Sequence, residues 1–228
     1  MTFSIVARCA RTGAFGIAVS SSSPAVAARC AHARAGAGAV ATQNVTDPRL
    51  GPLGLDLMAG GATAEAALER LRTAAAPHTE YRQLALVDRD GGTAWFSGAR
   101  ILGRHGTAAA PGAVAAGNLL ADEAVPDRML DAFLGCPRPA LGDRLLAAMR
   151  AGLDAGGEAG TVRSAGLLLV RDGVPWPVAD LRVDWDEGGD PIGALRRLWE
   201  IYEPQMEAYV TRALDPGAAP SYGVPGDE

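Results

Sequence analysis

The chain has 228 residues, a formal net charge of −5 and 48% apolar residues, enough for a core that needs neither metal nor disulfide to hold it. All 21 basic residues are arginine, which excludes the chemistries that require a lysine: a Walker A loop, a pyridoxal phosphate Schiff base and the strand lysine of a protein kinase. The arginines are scattered, leaving no basic stripe for nucleic acid, and Cys9, Cys30 and Cys136 form no C-x-x-C pair, so they read as small buried residues of a reducing compartment.

Residues 2–9 and 15–20 are β-prone runs around Arg11-Thr12-Gly13 and predict an antiparallel hairpin. Alternation puts Thr2, Ser4, Val6 and Arg8 on one face and Phe3, Ile5, Ala7 and Cys9 on the other, so one face packs and the other carries hydroxyls. Arg8 and Arg11 interrupt this stretch, the reverse of a secretion signal, and no run approaches the roughly 20 apolar residues of a membrane span. A cytoplasmic protein without membrane contact is expected.

Residues 24–35 fit no element clearly, while 36–43 read as a strand of small residues where something approaches closely. Helices are expected over 50–59 and 63–75, the second with Thr63 as N-cap and Ala66, Leu68 and Leu71 on its buried side. Residues 81–87 and 93–96 predict a second hairpin through Asp88-Arg-Asp-Gly-Gly92, and 114–120 a short strand containing Gly117-Asn118. Two amphipathic helices follow, 122–134 and 141–155, the latter with Leu145, Leu146, Met149 and Leu153 at helical spacing.

Residues 164–171 and 178–185 predict a third strand pair. Asp190-Pro191 opens a helix with Ile192, Leu195, Leu198, Trp199 and Tyr202 on one face, expected to break or kink at Pro204. No linker divides the chain, so residues 1–214 are read as one domain and 215–228, rich in proline and glycine, as a tail. Antiparallel strand pairs separated by helix pairs argue for α+β over a purely parallel doubly wound sheet.

Gly36-x-Gly38-x-x-Ala41 matches a loose dinucleotide fingerprint, but the residues after it read as strand rather than as the opening of a helix. His32, His78 and His105 include no ligand-spaced pair, so neither metal nor cofactor is expected, and no G-x-S-x-G elbow is present. Asp180, Arg182 and Asp184 alternate along one strand face, a geometry that holds a polar substrate group or pairs charges across strands. Trp185, Trp199, Tyr202 and Tyr209 read as core or subunit interface, and with the high apolar fraction they favour a homo-oligomer.

Met1-Thr-Phe-Ser-Ile-Val-Ala-Arg8, Gly38-Ala-Val-Ala-Thr-Gln43, Gly51-Pro-Leu-Gly-Leu55, Arg82-Gln83-Leu84, Gly117-Asn-Leu-Leu120 and Asp180-Leu-Arg-Val-Asp184 occur in order along the chain. Together they resemble the bacterial family known as domain of unknown function 1028 (DUF1028). The resemblance implies a four-layer αββα sandwich of two mainly antiparallel sheets, similar to N-terminal-nucleophile (Ntn) hydrolases. By that likeness Thr2, freed by removal of Met1, would be a nucleophile whose own α-amine is the base, with Ser4 in support and Asn118 as oxyanion donor.

Ser20, Ser21, Gln43, Arg182 and Asp184 are the accompanying candidates for substrate binding. The function expected is hydrolysis of an amide-like C–N bond in a small-molecule substrate. The alternative is a non-catalytic ligand-binding or assembly protein on the same fold. The lysine that the proteasome-type site places near its threonine is missing here, so activation would fall to the α-amine or to an arginine's field.

Overall fold

The computed structural model describes residues 1–226. Ten strands form two sheets in which every named strand pair is antiparallel. The first sheet contains β1 (Thr2–Arg8), β2 (Phe15–Ser21), β7 (His105–Ala110), β8 (Ala113–Asn118), β9 (Ser164–Val170) and β10 (Ala179–Val183), in the order β10-β9-β2-β1-β8-β7. The second contains β3 (Ala31–Arg34), β4 (Gly38–Asn44), β5 (Arg82–Asp88) and β6 (Thr93–Ser97), in chain order. The helices are α1 (Ala27–Cys30), α2 (Leu50–Ala59), α3 (Ala64–Ala74), α4 (Val125–Gly135), α5 (Leu141–Asp154) and α6 (Pro191–Leu214).

Period-two alternation sorts the strand residues into layers. Val6, Ile17, Val114 and Val170 of the first sheet meet Ala39, Ala41, Ala85 and Val87 of the second, so the sheets face one another across mostly small side chains. Phe3, Ile5 and Ala18 point the other way, onto Met129, Phe133, Leu145 and Trp199 of α4, α5 and α6. Val40, Leu84 and Leu86 back onto Leu55, Met58 and Leu71 of α2 and α3. The result is a mixed α+β fold of four layers, αββα.

Local chemistry sets the boundaries. The β1–β2 hairpin turns at Gly13 (φ 72°), whose N–H donates to Cys9 O at 2.9 Å. Asp88 accepts from Asp90 N (3.0 Å) and Gly92 N (2.8 Å) with one oxygen and from Ala64 N (2.8 Å) with the other, so it ties the β5–β6 turn to the start of α3. Thr63 caps α3, but the buried side of that helix is Ala64, Ala67, Leu68 and Leu71 while Ala66 faces solvent. Asp190 caps α6 through Gly193 N at 3.0 Å.

The structure goes beyond the sequence reading at two points. Pro204 does not end α6, which runs on to Leu214; Glu200 and Pro204 both face solvent, where water can satisfy the carbonyl that the proline leaves without a donor. Residues 31–34 and 105–110 are strands, although alanine and glycine gave them little β signal. The β1 face that carries the hydroxyls is buried beneath the second sheet: Ser4 is 0% exposed. Of the expected tail, residues 227–228 lie outside the described residues, and 215–226 contain one 3-10 turn, Pro216–Ala218.

Candidate active site

Thr2 opens β1, which lies between β2 and β8. It is paired in register with Asn118, the last residue of β8. Alternation aims Thr2 and Ser4 into the space between the sheets, and there a chain of polar side chains crosses from one sheet to the other. Ser4 Oγ donates to Gln43 Oε1 at 2.7 Å; Gln43 Nε2 donates to Gln83 Oε1 at 2.8 Å; Asn118 Nδ2 donates to the same oxygen at 3.0 Å. Gln83 Nε2 donates to Gly117 O at 3.0 Å and Ser97 Oγ at 3.2 Å.

That last bond to a backbone carbonyl fixes the orientation of Gln83, because only its amide nitrogen can face an acceptor. Its oxygen must then take both neighbouring amides, which fixes Gln43 and Asn118 in turn. Four buried side chains therefore have one consistent hydrogen-bond pattern, and one atom is left over: Asn118 Oδ1 is buried without a partner. Of the two amide hydrogens of Asn118, of which an oxyanion role was expected, one is given to Gln83, and its oxygen is left as a bare acceptor. Replacing Gln83 by alanine would strand the Gln43 and Asn118 amides and the Gly117 carbonyl; we expect a loss of about 3 kcal/mol, read as a lower urea midpoint.

The Met1 carbonyl accepts from the hydroxyls of Thr2 and Ser21. Next to Ser21, the Ser22 N–H donates to both oxygens of Glu158, at 3.0 and 3.2 Å. Glu158 lies in the glycine-rich loop after α5, held by a bridge to Leu120 and by Ala159 N to Leu119 O at 2.9 Å. Burial pushes its carboxyl up to about 7, while the charge of the Met1 amino group and the bonds from Ser22 pull the other way. Non-glycine residues with left-handed backbone gather at this edge: Ala25 after β2 (φ 50°), Asn44 ending β4 (φ 72°) and Leu119 after β8 (φ 51°). Such conformations cluster where a site over-determines the chain.

Not every candidate converges here. Ser20 falls on the opposite side of β2, toward the helices, and donates to Ser164 O at 2.9 Å. Its neighbour Ser21 is the one that reaches Met1 and Thr2, since a one-residue step along a strand reverses the face. Arg182 and Asp184 pair with each other at 2.9 Å on β10, the edge strand, three strands and roughly 14 Å from β1. This pair joins residues two apart along the chain, Asp184 lying just past the end of β10, rather than charges on neighbouring strands. Gly36 and Gly38 lead into β4 rather than a helix, so the dinucleotide fingerprint has no helix N-terminus to serve it.

Sequence reasoning missed Gln83 and Glu158 as site residues. Gln83 stood inside a family motif without a role; Glu158 is one acid among glycines, and only the fold brings it to Ser22, beside the end of β2. Arg82 was also missed: largely buried, it donates to Val45 O and stands 3.9 Å from Asp47, whose carboxyl is held below the usual range chiefly by its hydrogen bond from Arg49. A cavity of about 450 Å³ between α5 and α6, lined by residues such as Leu146, Arg150, Ile192 and Arg196, contains neither a nucleophile nor an acid. Among the described residues no cluster of three or more His, Cys, Asp or Glu is placed to hold a metal, and no helix is long and apolar enough to cross a membrane.

Two antiparallel sheets stacked face to face between helical layers, with a hydroxyl-bearing strand end and a buried polar relay at one edge, define the class: a four-layer αββα protein with its candidate site between the sheets. The family follows from comparison. The sequence model of the Family of unknown function (DUF1028) matches residues 2–195, and the chain belongs to that family. It is similar to the crystal structure of protein SPO2555 from Silicibacter pomeroyi, of the same family, with 31% identity over 88% of each chain and a TM-score of 0.80. A weaker likeness, to Anbu (ancestral β-subunit) from Yersinia bercovieri, has 12% identity, covers 91% of this chain and 97% of that one, and at a TM-score of 0.40 supports no argument. No curated protein matches the chain.

Proposed function

We propose that the protein is an amidohydrolase of the N-terminal-nucleophile type, acting on an amide-like C–N bond of a small molecule, with Thr2 as nucleophile. One observation carries the reading: the Thr2 side chain is buried at the start of a central strand, in register with Asn118, where its hydroxyl and that of Ser21 converge on one carbonyl, that of Met1. A threonine hydroxyl is a weak nucleophile until a neighbouring base takes its proton. With Thr2 as first residue its own α-amine is that base, titrating near 7.7–8.0 in an ordinary setting.

In the first half-reaction Thr2 Oγ1 adds to the amide carbon and its proton passes through the α-amine to the departing nitrogen. Water then cleaves the ester, giving the acid and restoring the hydroxyl. Ser21 Oγ would donate to the substrate's carbonyl oxygen; its bond to the Met1 carbonyl supports that role. Ser4, Gln43, Gln83 and Asn118 hold the floor rigid.

A second reading, ligand binding without turnover, is favoured by Met1 itself: while it is present the nitrogen of Thr2 is an amide and can accept no proton. The two readings part in one comparison. A chain prepared with Thr2 first should hydrolyse members of a panel of small amides, and the same chain retaining Met1 should not. Equal inactivity of both would leave the binding reading.

A further inference from the structure

The nitrogen of Thr2 and the side chain of Asn118 stand opposite one another across β1 and β8. Main-chain groups alternate in direction along β1: at its far end Cys9 N–H donates to Ala14 O on the β2 side, and Arg8 N–H to Gly112 O on the β8 side, both at 2.8 Å. Thr2 has the parity of Arg8, so its nitrogen faces β8, where its register partner is Asn118. Register partners that face one another exchange main-chain bonds, which gives the Thr2 nitrogen one acceptor, Asn118 O. The two side chains leave the sheet on the same face, with Cβ atoms about 5 Å apart. There Asn118 Oδ1, on a side chain that is 0% exposed, accepts nothing, although buried amide oxygens ordinarily have a donor.

A chain that begins at Thr2 supplies that donor, because its first nitrogen is an amine with two hydrogens where the amide had one. We infer that Asn118 is the positioning residue for this amino-terminal base, its main-chain oxygen and its Oδ1 each taking one hydrogen of the Thr2 amine. This deepens the hydrolase reading and rests on it for the reaction. A neutral amine has two hydrogens and one lone pair; with both hydrogens held by Asn118, the lone pair is left for the residue's own hydroxyl. In the attack the hydroxyl proton moves onto that pair while Oγ1 bonds to the substrate carbon. The same amine then gives one proton to the departing nitrogen and returns to its two bonds with Asn118. The relay of Ser4, Gln43 and Gln83 serves this by fixing Asn118 Nδ2, which aims Oδ1.

An acceptor favours the charged form of an amine, so removing it lowers the pH at which the amine titrates. The other titratable groups at this end are Glu158 in the loop after α5 and Cys30 closing α1, both within the field of the Met1 amino group, and His105 on β7, in register with Asn118 from its other side. The second sheet presents the uncharged Gln43 and Gln83. All of these are common to the variants compared, so a difference between variants belongs to the substituted residue.

The test needs no substrate. The full chain is prepared with residue 2 first, and acetylation of its terminal nitrogen is followed against pH by peptide mass. Asn118→Ala is expected to lower the amine's midpoint by about one pH unit, and Asn118→Asp, which restores an oxygen, to return it to the unmutated value or above. Ser4→Ala, which loosens the relay and keeps Oδ1, should leave the midpoint in place; melting curves verify each fold. An unmoved midpoint in Asn118→Ala, or an equal fall in Ser4→Ala, overturns the inference. Should Asn118→Ala not fold, the unmutated chain decides by NMR: the side-chain amide resonance of Asn118 should shift across the amine's midpoint, and a flat resonance overturns the inference. A lowered midpoint with no amide cleaved by the unmutated chain would keep this role for Asn118 and discard the hydrolase. Amide cleavage with an unmoved midpoint would do the opposite.

Discussion

Glu158→Gln is expected to stabilise the folded chain at pH 8 by about 3 kcal/mol, with almost none of that gain at pH 4. Proton linkage sets the sign and size of the effect. Burial raises the folded-state carboxyl from 4.5 to about 7, so between those values the unfolded chain has released its proton while the folded chain keeps it. The folded state binds more protons, and stability therefore falls as pH rises through this window, then stays level above it. Glutamine keeps an oxygen for the Ser22 N–H and removes the ionisation. A wild-type chain whose stability does not decline from pH 4.5 to 7, or a variant that is less stable at pH 8, would contradict the placement of this carboxyl. That a residue should cost stability where it stands is what a site residue does.

Thr2→Ala, in the chain that begins at residue 2, is expected to lower kcat by at least about a thousandfold, since removal of a nucleophile abolishes the covalent route rather than weakening it. Stability should change little: among the described residues the Thr2 hydroxyl donates to Met1 O, which that chain no longer has. Thr2→Ser keeps an attacking hydroxyl and should retain a measurable fraction of turnover. Full activity in the alanine variant would remove Thr2 from the reaction and leave the polar relay as structure alone.

Much of the fold was legible because its signals are local. Alternation in residues 2–8 and the glycine at 13 specify the first hairpin, and Thr63 and Asp190 mark helix starts by the chemistry of their side chains. What could not be read was which faces meet. Alternation puts the hydroxyls of Thr2 and Ser4 on one face, but only the fold supplies the partner of Ser4: Gln43, on the second sheet, 39 residues further on. A glutamine inside an apolar strand, such as Gln83, shows its use only when partners from β4, β6 and β8 are in place. Glu158 sits among glycines with no periodicity to read, and the ends of β2 and β8 that it joins are distant in sequence. Pro204 misled in the other direction: the missing N–H and the clash of the ring with the carbonyl four residues back disfavour proline inside a helix, yet α6 continues through it to Leu214.

The most direct test of the central claim is the intact mass of untagged protein after exposure to a β-lactone, an acylating agent that a free-amine threonine opens to an ester. A chain that starts at Thr2 and carries one acyl group on its amino-terminal peptide is the predicted result. A chain that uniformly keeps Met1 and gains no mass there would contradict it.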